Sequence, residues 1–289
     1  MTDLHRATAG VDAATRSGPP HRKVHVEPVM GTIVSFDVRP PFVDQAAIEA
    51  ACEVLHDIDR RFSLYSPDSE LGRLARGLVA ESELSPDVRW VLAACDELAR
   101  STGGAFDARL HRPDGVVDPS GFVKGWAVEE AVCRLDDAGA TNCLVTAGGD
   151  IVARGEAAPG IAWRIGIRHP EQADRLAAVV AIRRGAVATS GLYERGDHVR
   201  DARTDTIPRE LLSLTVIGPD LTWADAYATS AFVMGREGLA WVESHPGYGA
   251  IGITATREVL WTPTADGRRA DGADAPVELS RTSHPDALS

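Results

Sequence analysis

The chain has 289 residues, 44% apolar and 25% charged, a composition that excludes wholesale disorder, a collagen-like repeat and a small scaffold held by disulfides. Thirty Lys and Arg against 42 Asp and Glu leave a formal charge of −12. That is the wrong sign for a non-specific nucleic-acid binder, although a few local donors can still hold an anion against an acidic mean field.

Residues 1–20 read as a flexible arm without an apolar stretch, cleavage site or lipidation pattern. No run anywhere approaches the about 18 apolar residues of a membrane span, so the expected location is the cytoplasm. Residues 21–262 read as one compact domain. Lys23–Glu27 and Thr32–Val38 alternate and flank Met30-Gly31, which predicts a hairpin. Residues 43–61 place Ala47, Ile48, Ala51, Val54, Leu55 and Ile58 at helical spacing. Ser85-Pro86-Asp87 opens a second helix, with Ser85 as cap, ended by Thr102-Gly103-Gly104. Asp118-Pro119 opens a third that stops near Gly139. Strands are expected at Cys143–Thr146, Ile151–Ala153, Trp163–Ile167, Ala177–Ile182, Leu212–Ile217 and Ala250–Thr254, and helices at Trp223–Met234 and Glu237–Ser244. Residues 263–289, rich in Pro, Gly and Asp, read as a tail that carries no core. Regular βαβ alternation is absent, so the expected class is α+β with a largely antiparallel sheet. Cys52, Cys95, Cys133 and Cys143 form no C-x-x-C pair and read as reduced, buried thiols.

Five clusters could carry chemistry. Asp118-Pro-Ser-Gly-Phe-Val-Lys124 leads into a helix N-terminus, where free N–H groups and the dipole favour an anion and Lys124 could add charge; a plain capped helix with a solvated lysine is the alternative. Asp225 and Thr229 stand four apart on a helix, hence on one face, and offer two hard oxygens of the kind Mg²⁺ takes; alternatively Asp225 caps its own helix. Thr189-Ser190-Gly191 and His198-Val-Arg-Asp201 gather polar groups in a loop after a strand ending at Val187, where His198 could serve as a base or be merely solvated. Gly103-Gly104-Ala105-Phe106-Asp107 would let backbone approach a ligand or simply cap a helix. Ala147-Gly148-Gly149-Asp150 reads equally as a hairpin turn. Histidines 21, 25, 56, 111, 169 and 245 form no metal-ligand spacing along the sequence.

The order of these pieces resembles the ApbE family, the FAD:protein FMN transferases, from about Val29 to about Ile253. The matching pieces are Met30-Gly31-Thr32, Ile58-Asp-Arg-Arg-Phe-Ser-Leu-Tyr65-Ser, Ser69-Glu-Leu, Thr102-Gly-Gly-Ala-Phe-Asp107, Asp118-Pro-Ser-Gly-Phe-Val-Lys-Gly125 and Ala147-Gly-Gly-Asp150. They continue with Ala188-Thr-Ser-Gly191, Tyr193-Glu-Arg195, His198-Val-Arg-Asp201 and Ala224-Asp-Ala-Tyr-Ala-Thr229. The resemblance implies a T-fold-like α+β domain that moves FMN from FAD to a Thr or Ser hydroxyl of an acceptor protein, releases AMP and requires Mg²⁺ or Mn²⁺. It implies that Met30, Tyr65, Ala105, Phe106, Asp107, Asp118, Lys124 and Val199 hold FAD. It further implies that the Gly121 carbonyl, Asp225 and Thr229 hold the metal, and that His198 is the base on the acceptor hydroxyl. The sequence departs from the family pattern after the histidine, where Ala202 and Asp205 replace Pro and Gly. It departs also in a short segment between Asp107 and Asp118 and in Ser120-Gly121 where the family has Gly-Gly. These changes bear on acceptor recognition more than on FAD. An FAD pyrophosphatase yielding FMN and AMP, and a non-catalytic flavin-binding protein, are the alternatives.

Overall fold

The structure is a computed structural model and describes residues 22–109, 117–172, 174–191, 201, 203–204 and 206–271. Its first element is a hairpin, β1 (Lys23–Val29) and β2 (Thr32–Val38), turned by Met30 and Gly31 at φ of 53° and 66°. Two positive φ angles match the twist of the flanking strands; glycine adopts them freely, whereas Met30 does so against its own Cβ. Helices α1 (Gln45–Phe62), α2 (Glu70–Ala75), α3 (Pro86–Ser101) and α4 (Ser120–Asp137) follow. Then come β3 (Cys143–Ala147), β4 (Asp150–Arg154), β5 (Trp163–Arg168), β6 (Leu176–Ile182), β7 (Arg184–Gly191) and β8 (Leu211–Gly218). The described chain ends with α5 (Leu221–Met234), α6 (Arg236–Glu243), β9 (Gly249–Thr254), β10 (Val259–Trp261) and α7 (Pro263–Asp266).

Eight strands form one sheet in the order β1-β2-β3-β4-β7-β8-β9-β10, and β5-β6 form a separate pair. Every pairing between these strands is antiparallel, so the class is α+β, as the sequence predicts. Side chains alternate across a strand, and in the central strands both faces are apolar. Val152, Ala186, Ala188, Leu214, Val216 and Ala250 face one core, shared with residues of α1, α3, α4 and α5. Their neighbours Ala153, Val187, Ile217 and Ile251 face a second core closed by Trp163, Ile165, Ile167 and Val180 of the β5-β6 pair. Helices therefore cover one face of the central sheet and the small hairpin the other. Phe36, Phe122 and Phe232 are fully buried, each such side chain contributing about 1.5–3 kcal/mol.

The structure corrects several expectations. Thr189, Ser190 and Gly191 belong to β7 and pair with β8 rather than lying in a loop; threonine suits a pleated strand, and its polarity misleads. α4 starts at Ser120, and Asp118 Oδ1 accepts from the Ser120 N–H at 3.0 Å. Ser85 precedes α3 but makes no capping hydrogen bond. Cys133 is exposed, while the other three cysteines are buried. Residues 263–271 do carry core: Ala265 is fully buried, and the backbone of Arg268 and Ala270 bonds to Ala181 and Val179 of β6.

Candidate active site

The turn of β1-β2, the turn of β3-β4 and the end of β7 meet at one end of the main sheet, since Val34 pairs with Ala147 and Ile151 with Val187. A cleft of about 580 Å³ opens there, lined by Gly31, Thr32, Gly148, Gly149, Thr189 and Arg168, among others. That volume lies in the range of small-molecule sites, about 300–1,000 Å³. Glycines at both turns leave backbone as the cleft wall, the β5-β6 pair contributes Ile165 and Ile167, and Arg168 puts a cation at the exposed rim.

Beside the cleft, on the helix-covered face, lies a charged cluster. Lys124 on α4 contacts the carboxylate of Asp150, the first residue of β4, and its Nζ lies 2.8 Å from Asp225 Oδ2 on α5. Asp150 and Asp225 are 2% and 5% exposed. One ammonium between two buried carboxylates leaves the cluster with a net negative charge, which is costly in a low-dielectric setting without a further cation. Asp150 is anchored by its other oxygen, which accepts from the Thr189 N–H at 3.1 Å, so Thr189 joins the cluster to the cleft. Lys124 is the partner that Asp225 Oδ2 has among the described residues. Thr229, one helical turn on, shares a 3.2 Å hydrogen bond with Ser190 Oγ.

The fold builds this cluster deliberately. Gly125 lets α4 and α5 touch: a Cβ there would lie 2.6 Å from the Leu221 carbonyl oxygen and 2.9 Å from Asp225 Cβ. The start of α5 is pinned by Asp220, whose Oδ1 accepts from Trp223 N–H at 3.2 Å, and by Glu129 of α4, whose Oε2 accepts from Leu221 N–H at 2.9 Å. Asp220 is therefore the helix cap, which frees Asp225 to point inward. Glu129 is itself paired with the buried Arg154, which also contacts Asp136 at 3.2 Å. Tyr248 donates to Asp220 Oδ2 at 2.9 Å; burial and the adjacent carboxylate push its phenol upward, so it acts as a neutral donor.

The other expected residues are distributed unevenly. Ala105 and Phe106 are buried, and the Phe106 ring backs Gly121, where a Cβ would lie 3.3 Å from it. Asp107 Oδ1 accepts from Arg109 N–H at 2.7 Å, and Asp118 Oδ1 accepts from the N–H of Ser120, the first residue of α4. Met30 stands at the hairpin tip, next to the cleft residues Gly31 and Thr32. Tyr65 is 100% exposed. His198 and Val199 lie outside the described residues. Asp201 and Arg203, just beyond them, form an ion pair at 2.8 Å, and the Arg203 side chain would lie 3.5 Å from a Cβ at Gly104. Sequence reasoning passed over the roles of Asp150, Ser190 and Arg168; Asp150 was visible only as the end of a glycine turn.

The donor set fits a hard divalent cation on the chemistry of its atoms. It has two buried carboxylates against a single ammonium, the Thr229 and Ser190 hydroxyls one helical turn from Asp225, and hence a surplus of negative charge.

Comparison with known proteins gives a consistent picture. A model of the ApbE family matches residues 30–113 and 108–251. An FAD:protein FMN transferase of Haemophilus influenzae is 26% identical, over 68% of this chain and 77% of that protein. One of Vibrio cholerae is 27% identical, over 78% and 86%. Among solved structures, the flavin transferase ApbE from Vibrio cholerae superposes with a TM-score of 0.76 at 23% identity, over 86% of this chain and 100% of that one. The ApbE protein of Thermotoga maritima does so with a TM-score of 0.76 at 23% identity, over 87% and 100%. These structural likenesses speak to the fold.

Proposed function

The chain belongs to the ApbE family, and from that premise we propose that it is an FAD:protein FMN transferase that uses Mg²⁺, or Mn²⁺ in its place. The observation that carries the reading is the Asp150–Lys124–Asp225 cluster, two buried carboxylates around one ammonium, with the Thr229 hydroxyl one helical turn from Asp225. The named relatives support the same activity.

In the proposed reaction the hydroxyl oxygen of an acceptor Thr or Ser attacks the flavin-side phosphorus of the FAD pyrophosphate. A new phosphoester bond forms, the bond to the AMP oxygen breaks, and the hydroxyl proton passes to His198. Base assistance of this kind contributes typically about 10²–10⁴-fold. Lys124 directs positive charge at the phosphoryl oxygens, where negative charge grows, and Asp150 holds its ammonium in place. Asp225, Thr229 and the Gly121 carbonyl would hold the divalent ion, which when bound supplies charge neutralisation to the pyrophosphate. Met30, Ala105, Phe106, Asp107, Asp118, Tyr65 and Val199 are proposed to position FAD; the fully exposed Tyr65 ring is free to rotate over it.

The test is where the flavin ends up. Incubation with FAD, Mg²⁺ and a peptide bearing a flavinylation-type Thr or Ser, followed by denaturation, should leave FMN covalently on the peptide, one for each AMP released. AMP together with free FMN only would shift the reading to a pyrophosphatase. Bound FAD that yields neither would make the protein a flavin binder.

A further inference from the structure

A second constellation of ligand-type side chains lies at the other side of the first hairpin, independent of the flavin-transfer reading. Residues two apart on a strand share a face, so β1 turns both His25 and Glu27 toward α1. Residues four apart on a helix also share a face, so α1 answers with Cys52 and His56. The Glu27 carboxylate sits between the imidazoles, 3.0 Å from His25 Nε2 and 2.9 Å from His56 Nε2. A ring nitrogen of His25, a Glu27 oxygen and Cys52 Sγ all lie within 4.8 Å of one another. Cys52 is buried, whereas His25, Glu27 and His56 reach solvent, so an ion could enter from outside.

The Cys52 thiol also donates a hydrogen bond to the Glu27 carboxylate. A thiol as third member, at that distance, makes the group a mixed N, O, S set. Such a set suits a borderline-soft divalent metal and is chemically unlike the all-oxygen set at Asp225 and Thr229. Zinc bond lengths of about 2.0–2.3 Å put tetrahedral ligand atoms about 3–4 Å apart, and the three ligand atoms here lie within 4.8 Å of one another.

We propose that His25, Glu27 and Cys52 form a binding site for a Zn²⁺-class divalent metal ion that ties the edge strand β1 to α1, with His56 as a positioning residue on the Glu27 carboxylate. On binding, the Cys52 thiol gives its proton to solvent as the Sγ–metal bond forms.

Co²⁺ is the probe, because its spectrum reports both coordination number and sulfur. The full chain carrying Cys133→Ser, which removes the exposed thiol, is titrated with Co²⁺ in the presence of saturating Mg²⁺. The expected result is one Co²⁺ per chain with a thiolate-to-metal charge-transfer band in the near ultraviolet, displaced by one equivalent of Zn²⁺. Adding Cys52→Ser should abolish the band. His56→Ala should weaken binding about 10–100-fold, as loss of a partner to a ligand usually does. Asp225→Asn should leave the spectrum unchanged. Absence of a charge-transfer band at saturating Co²⁺, or a band that survives Cys52→Ser, would overturn the site. Should Cys52→Ser fail to fold, His25→Gln decides. Loss of the band with native circular dichroism supports the proposal, and an unchanged band refutes it.

Discussion

At the residue scale, the proposed function rests on one ammonium shared by two buried carboxylates. Replacing Lys124 with Met would leave Asp150 and Asp225 facing each other with no neutralising partner. Loss of one member of a buried ion pair costs about 3–5 kcal/mol, and the lower end applies because Lys124 keeps 21% of its side-chain exposure. The variant should therefore melt lower than wild type, and Mg²⁺ should raise its melting temperature by more than it raises the wild type's. Equal Mg²⁺ responses in the two proteins would mean that the carboxylates do not hold the ion. Lys124, Asp225 and Thr229 could be picked out in the sequence because their motifs fall in the order of the family pattern; helical spacing alone left a capped helix and a solvated lysine equally open. The role of Asp150 was not legible: a glycine turn ending in Asp looks the same whether the carboxylate meets water or Lys124, and only the α4 packing decides which.

At the element scale, the approach of α4 to α5 sets the site. Gly125→Ala places a methyl 2.6 Å from the Leu221 carbonyl oxygen, so the helices must separate. Overpacking of this kind costs about 1–3 kcal/mol. We expect a lower melting temperature together with weaker Mg²⁺ dependence of activity, read by calorimetry and by metal titration; a variant as active and as stable as wild type would show the contact to be dispensable. The C-terminal segment offers a pH test. Burial raises the Glu243 carboxyl, but hydrogen bonds from Thr262 and Thr264 outweigh it and hold the group below its ordinary 4.5. A depressed carboxylate stabilises the fold above its unfolded value and loses that contribution as pH falls through its folded value. Between pH 7 and about 5 the packing of α7 on β9 should hold, and in more acid solution it should loosen, with Trp261 fluorescence as the reporter; Glu243→Gln should make that response flatter. The same segment shows why sequence reading missed it: its few apolar residues carry no period, and Ala265 is buried only because β9 and β6 supply the partners. α2 escaped for a related reason, since six residues are too few to show a helical repeat. By contrast α1, β1 and β2 are long enough for their periods to be read.

At the scale of the whole molecule, a sheet buried on both faces keeps most thiols from solvent. Burial pushes Cys95 and Cys143 up to about 12, so neither forms thiolate at neutral pH. Native protein should thus show one fast-reacting thiol, Cys133, toward a maleimide at pH 7.5, and the remaining three of its four cysteines should react only after unfolding. Any fast thiol in the Cys133→Ser variant would contradict the core arrangement. The architecture was legible because the strands alternate and the class follows from their order. The second core was less so, because only the three-dimensional placement of β5-β6 shows why residues such as Val187 and Ile217, on the far face of the main sheet, are also apolar.

The most direct test of the central claim is AMP release from FAD by wild type and Asp225→Ala, each with Mg²⁺ and with EDTA, in the presence of an acceptor peptide. The account predicts release by wild type with Mg²⁺ alone and a fall of at least about 100-fold in the variant, the scale of losing a principal electrostatic group. Release that persists in EDTA, or in the Asp225→Ala protein, would contradict it.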